Sequence, residues 1–245
     1  EDCGLNEAAW KVNEWFNLGL EAQAAVRFRK EPPTAKRAQA PEAADNTPRP
    51  AMPTAKPASP AATTPEPEVE TGENEPKDFF ALTNLDTTHP YLTERGLRAE
   101  TIAQFGVGYC SKGIMAGRIA IPIFNSSGQI VANAGRWPGE PEEGKEKYRL
   151  PGKFKKTLEV FNIHRAALEP DTSPLVIVEG FFGVMHLWQL GIRRAVALMG
   201  WHLSERQEAM IGKLVTPDSR IVLMLDNDEP GIAAQQKIAP RLAEH

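Results

Sequence analysis

Apolar and polar positions along this chain change rhythm four times, and each change marks a different kind of structure. Residues 4–20 repeat at helical spacing, with Leu5, Ala8, Ala9, Val12, Trp15 and Phe16 on one face. Gly4 is an acceptable N-cap, and Glu7 occupies the capping-box position. A lone helix with an apolar Trp–Phe face does not fold by itself, so residues 1–30 are expected to pack on a neighbour. From 31 to 76 the rhythm disappears. Eleven of the 21 prolines lie there among Ala, Thr and Glu, which predicts a disordered, partly polyproline linker.

A second domain is expected from residue 77. Residues 78–85 read as a short helix. His89-Pro90 opens another, stopped by Gly96, and 99–105 form a third. The period then falls to two. Residues 117–124 and 129–136 flank Asn125-Ser-Ser-Gly128, a hairpin pattern, and the Glu- and Gly-rich stretch 138–147 reads as a loop. From Pro174 the order is βαβαβα, with strands at 175–179, 194–198 and 220–225. Helices are expected at 182–190, 204–213 and 231–244, and Ser204 with Gln207 forms a capping box. Such alternation demands parallel strands joined by right-handed crossovers.

Composition narrows the picture. The 245 residues suit one large or two small domains, and a net charge of −4 gives no global nucleic-acid signal. Cys3 and Cys110 offer neither a zinc site nor a disulfide framework. No apolar run reaches the ~18 residues of a membrane span and no signal peptide is visible, so a cytoplasmic location without membrane contact is expected. The chain begins at Glu1 and stops at His245 inside a helical pattern, which reads as a fragment or processed product.

The chemistry concentrates at two strand ends. The apolar run Leu175-Val-Ile-Val178 ends in Glu179-Gly180, and Ile221-Val-Leu-Met-Leu225 ends in Asp226-Asn-Asp228. Open α/β sheets bind ligands at the carboxyl ends of their strands. Carboxylates are hard ligands suited to Mg2+ or Mn2+. Asp226 and Asp228, two apart on extended backbone, are expected to act together. The helix starts near Phe182 and Gly231 would attract phosphate oxygens. On chemistry alone this is a metal-assisted phosphoryl or nucleotidyl site. An ATPase-type phosphate loop and a Gly-x-Ser-x-Gly elbow are both missing. His89 and His164 read as caps or surface residues.

These motifs resemble a known family. Glu179-Gly-Phe-Phe-Gly183, then Ala197-Leu-Met-Gly200 through Gln207, then Leu225-Asp-Asn-Asp-Glu-Pro-Gly231 resemble the Toprim domain of bacterial-type (DnaG-like) DNA primases. Tyr91-Leu-Thr-Glu-Arg-Gly96, the hairpin with Gly135-Arg136, and Lys147-Tyr148 with Phe154-Lys-Lys156 resemble the rest of that catalytic core, in order over 78–245. The amino-terminal helix resembles the one after the zinc-binding module of such primases and their mobile-element relatives. Zinc would then belong only upstream of this chain.

The resemblance implies an α+β fold: a primase core with a basic α/β subdomain of helices and hairpin (77–170) and a Toprim parallel-sheet subdomain (171–245) lacking its final strand. It implies primer synthesis from NTPs on a single-stranded DNA template, with a replicative helicase as a further partner. Glu179 would be the catalytic acid/base or metal ligand, and Asp226 and Asp228 would bind magnesium. Arg95, Arg118, Arg136, Lys147, Tyr148 and Lys156 would meet triphosphate or template. The chain departs from the pattern at Gly183, where the family carries a second acid, and at Asn227 and Pro230. Gly183 motivates an alternative, a catalytically reduced nucleic-acid-binding scaffold. A Toprim nuclease is a third reading, which the primase-like residues 90–156 disfavour.

Overall fold

The computed structural model describes residues 72–76 and 79–245. The helix expected within residues 1–30 and the linker as far as residue 71 lie outside the described residues. Two short helices, α1 (Pro90–Glu94) and α2 (Ala99–Phe105), precede a four-stranded antiparallel sheet. Pro90 sits in the first turn of α1, with His89 as its cap. Gly106 ends α2 in the left-handed region (φ 65°), where the missing Cβ removes the steric cost.

The antiparallel sheet runs in the order β1 (Gly108–Cys110), β2 (Arg118–Phe124), β3 (Ile130–Arg136), β4 (Tyr148–Arg149). Asn125 builds the β2–β3 turn by accepting from the Ser127 and Gln129 amides at 3.1 and 2.9 Å. One expectation fails beside this sheet. Residues 79–85 form no helix, and residue 78 lies outside the described residues. Their apolar side chains serve two separate surfaces: Phe79 meets Phe154 edge-on at 6.4 Å, while Leu82 and Leu85 cover Cys110, Met115 and Ala120. An extended run reaches both, whereas a two-turn helix spans only ~11 Å.

After α3 (Ile163–Ala166) comes a parallel sheet of order β6-β5-β7, built from β5 (Leu175–Val178), β6 (Ala195–Ala197) and β7 (Ile221–Met224). Its helices are α4 (Phe181–Gln189), α5 (Glu205–Gly212) and α6 (Glu229–Leu242). Every residue of β5 is buried, as a central parallel strand requires. Its side chains alternate between two layers. Val176 and Val178 join Phe182, Val184 and Met185 of α4. Leu175 and Ile177 join Met210 and Ile211 of α5 and Ala234 and Ile238 of α6. The first of these clusters also contains Ile119, Ile121, Val131 and Ala134, so the two sheets share one core. The mixed fold matches the α+β expectation, and the βαβαβα order holds with each element one to three residues shorter or shifted. No described helix is long and apolar enough to cross a membrane.

Candidate active site

Glu179 follows the last residue of the central strand and is half-buried. Gly180 is the N-cap of α4 and supplies no side-chain cap. A Cβ built at Gly180 would meet nothing within 4 Å. The first amides of α4 therefore have no side-chain cap, and the helix dipole there favours an anion. Burial pushes the Glu179 carboxyl above the usual carboxylate range, and the charges of Asp226 and Asp228 push it further. A hydrogen bond from the Asp226 backbone and the Lys156 charge oppose that rise. The fold thus gathers Glu179, Asp226, Asp228 and Lys156 from three separate stretches of sequence.

The second acidic strand end is built differently. Asp228 is the N-cap of α6, and its Oδ1 accepts from the Gly231 amide at 2.8 Å. A Cβ at Gly231 would lie 2.0 Å from the Asp226 carbonyl oxygen. Only glycine permits this approach, which folds the Asp226–Asp228 turn tightly onto α6. Both helix starts were expected to offer amides to phosphate. The amino end of α6 is already occupied by Asp228, so α4 alone keeps that role.

Among the described residues, no group of three His, Cys, Asp or Glu side chains converges closely enough to hold a metal by itself. Glu179, Asp226 and Asp228 therefore do not form an all-protein cage. Magnesium usually binds through one or two carboxylates, waters and substrate phosphates, and the loose acidic set around Glu179 fits that mode.

Lys156 is exposed and opens a short 3-10 turn, Lys156–Leu158. Its loop is clamped from two sides. The buried Gln207 side chain donates to the carbonyls of Lys156 (3.3 Å), Glu159 (2.9 Å) and Leu198 (3.0 Å). Its oxygen accepts from the Ser204 amide at 3.1 Å, and the Ser204 hydroxyl accepts from the Gln207 amide at 3.1 Å. The capping box recognisable in sequence therefore also fixes the basic loop. On the other side, buried Asn74 accepts from the Lys155 amide at 2.9 Å. It donates to the Lys155 carbonyl at 3.0 Å and to Glu159 at 3.2 Å. Sequence reasoning missed Asn74 because it lies in the stretch read as linker. The available signal was slight: the proline spacing opens between Pro67 and Pro76.

The other predicted contact residues meet different fates. Arg95 and Lys147 are exposed. Arg118 is buried, over the Trp137 ring at 5.1 Å, and donates to the carbonyls of Gly135 and Glu146 at 3.2 and 2.9 Å. Burial, with the Arg149 and Arg136 charges, draws its guanidinium below the usual value, Glu146 opposing. Arg136 is also buried and donates to the Trp137 carbonyl at 2.7 Å. Both hold the loop after β3. Tyr148 is half-buried with its ring already engaged, by Arg136 at 5.3 Å and by Phe181 at 5.6 Å.

These contacts belong to a joint between the two sheets. Arg136 also lies over Tyr91 at 5.7 Å, Tyr91 meets Phe182 edge-on at 6.4 Å, and Arg95 covers Phe182 at 5.1 Å. His186 Nε2 donates to the Arg95 carbonyl at 2.7 Å, and Gln189 donates to the Gly96 carbonyl at 3.0 Å. Cation–aromatic and edge-to-face contacts together fix α4, and hence the amides beside Glu179, against α1.

Gly183, which stands where an acid was anticipated, has a packing reason. A Cβ there would come within 3.1 Å of Val178 Cγ2 and 3.3 Å of Val178 Cβ. Helix α4 lies so close to β5 that a side chain at 183 must displace it by a few tenths of an ångström.

The chain is similar to known proteins in sequence and in fold. Residues 176–245 match the family described as Toprim-like. The DNA primase of Mycoplasma pneumoniae is 36% identical over an alignment covering 52% of this chain and 20% of that protein. The DNA primase of Thermotoga maritima is 32% identical, with 63% and 33% covered. The chain thus spans a fifth to a third of the length of these relatives. Among solved structures, a DNA primase domain from Pseudomonas aeruginosa superposes with a TM-score of 0.51 at 28% identity, covering 62% of this chain and 57% of that one. The RNA polymerase domain of the Mycobacterium tuberculosis primase DnaG, in complex with double-stranded DNA carrying a 6-nucleotide overhang, gives 0.52 at 27% identity, covering 62% and 61%.

Proposed function

We propose that this chain, whose described residues form a DnaG-like primase core with a Toprim-like domain, belongs to a DNA primase. Such an enzyme makes RNA primers from NTPs on single-stranded DNA by metal-assisted nucleotidyl transfer. The observation that carries this reading is the gathering of Glu179, Asp226, Asp228 and Lys156 at the carboxyl end of the central strand, beside the open amides of α4. A bound Mg2+ or Mn2+ would neutralise charge developing on the phosphates. Glu179, Asp226 and Asp228 are the residues that would hold it.

The chain's own groups divide the remaining work. The α4 amides and the Lys156 ammonium receive phosphate oxygens. Glu179, whose raised carboxyl keeps a proton to higher pH than an ordinary glutamate, is the residue placed to exchange a proton with the attacking hydroxyl. Exposed Lys147 and Arg95 attract the template electrostatically, and Arg118 and Arg136 shape the loop from which Lys147 projects. The mobile-element subtype, a zinc module upstream, a replicative helicase partner and a cytoplasmic location belong to the same reading.

The test is primer synthesis by the full-length protein with single-stranded DNA, NTPs and magnesium, resolved on denaturing gels. Primers are expected, and Glu179→Gln should reduce them by about 10²-fold or more while leaving the fold intact. Absence of primers, or unchanged synthesis by Glu179→Gln, rejects the reading. Gly183 favours a second reading, a scaffold that binds nucleic acid without chemistry. Single-strand binding that ignores magnesium and survives Asp226→Ala, with no primers formed, would support it.

A further inference from the structure

The connection from β6 to α5 carries a feature that the acidic site leaves unused. Trp201 is 48% exposed, and His202 meets it edge-on at 6.1 Å. The segment is rigidly presented. Met199 just before it holds φ 61°, a left-handed conformation costly for a residue with a side chain. Gln207 holds the Leu198 carbonyl at 3.0 Å, and Arg241 holds the Leu203 carbonyl at 2.8 Å. A fixed aromatic face turned to solvent beside a phosphate-binding site calls for a partner.

Cations approach the same loop. Lys156 Nζ lies 3.2 Å from where a Cβ on Gly200 would stand. Arg241, which also pairs with Glu208, reaches the loop from α6. Exposed Lys237, one turn earlier, lies on the same side of that helix. The His202 ring feels all of them: burial first, then Arg241, Lys237 and Lys156, draw it below the usual histidine value, so it adds no charge of its own at neutral pH. An exposed aromatic ring with cations nearby is the arrangement that binds single strands.

We propose that Trp201 stacks on one base of a single-stranded nucleic acid whose phosphates are met by Lys156 and Lys237. The inference rests on the reading above for its single-stranded partner and adds a contact outside the acidic site. Cations from two separate elements near one exposed ring fit a strand passing over it better than a lone nucleotide.

The experiment is fluorescence anisotropy of a fluorescein-labelled oligothymidylate titrated with the full chain in EDTA, so that neither metal nor catalysis enters. Trp201→Ala should weaken binding by about 5- to 100-fold, and Trp201→Phe should retain most of it. Lys237→Ala should flatten the salt dependence of binding by about 0.7 in log–log slope. Equal affinity of Trp201→Ala and wild type overturns the proposal, as does a Trp201→Phe as weak as Trp201→Ala. A variant impaired only in ATP binding also overturns it, by assigning the ring to a nucleotide. If wild type binds the oligomer through Trp201 yet makes no primers, the platform stands and the primase reading falls. Primer synthesis with no role for Trp201 in binding has the opposite meaning.

Discussion

The junctions β5–α4 and β7–α6 share a plan: an apolar parallel strand, an acid at its end, and a helix with a glycine at or just inside its start. Their physical solutions are opposite. At the first, Glu179 is half-buried, Gly180 leaves free space, and the helix amides have no side-chain cap. At the second, Asp228 caps its own helix, and Gly231 exists so that the chain can press against the Asp226 carbonyl. One glycine leaves space beside the acid and the other makes room for the protein itself. The contrast separates an open junction from a closed one, although a pattern search treats them alike.

The sharpest way to break this contrast is to add one methyl group to each glycine. Gly231→Ala forces a backbone shift and should cost about 3 kcal/mol or more, roughly 6–12 °C in melting temperature. Gly180→Ala should stay within ~0.5 kcal/mol of wild type yet weaken triphosphate binding. Thermal melts and a nucleotide titration decide between them, and similar melting losses in both variants would erase the distinction.

A smaller effect separates the two duties of Asp228. Asp228→Ala removes the cap and should cost about 1 kcal/mol. Asp228→Asn keeps the cap, so stability should hold while primer synthesis falls. Full activity in the Asn variant would reduce Asp228 to a structural residue.

The smallest effect concerns pH. The Glu179 carboxyl is raised in the fold, so the folded state keeps a proton that the unfolded chain has released. Stability therefore declines as pH rises from the unfolded glutamate value, about 4.3, through the folded one. Glu179→Gln should stabilise the protein at pH 8 by only a few tenths of a kcal/mol, because solvent screens a half-exposed group. The gain should vanish towards pH 4. A binding junction should gain stability when disarmed; a loss at pH 8 would contradict that assignment.

The hydrophobic rhythm carried most of the fold because periodicity reports burial directly. The four-residue apolar run at 175–178 became the central strand, and the 125–128 turn became the hairpin. The rhythm failed at 79–85, where helical spacing was satisfied by two unrelated surfaces, a tertiary fact that a local pattern does not contain. Glu179, Asp226 and Asp228 were legible because strand ends are predictable places. Arg118 and Arg136 were assigned to phosphate by resemblance, and the fold turns them towards backbone carbonyls. Burial of a charged group depends on partners distant in sequence, as do the clamps of Asn74 and Gln207. Gly183 read as a missing acid because motif comparison does not register how near α4 lies to β5.

Asn74 has one more consequence, a mechanical one. It grips Lys155 through both its amide and its carbonyl and touches Glu159. Tension applied to the chain upstream of Gly72 is therefore borne at this clamp, after the exposed Glu73–Arg206 pair. It reaches the loop that presents Lys156 before it reaches either sheet. Whatever pulls on that end of the chain has its lever on the ammonium beside Glu179.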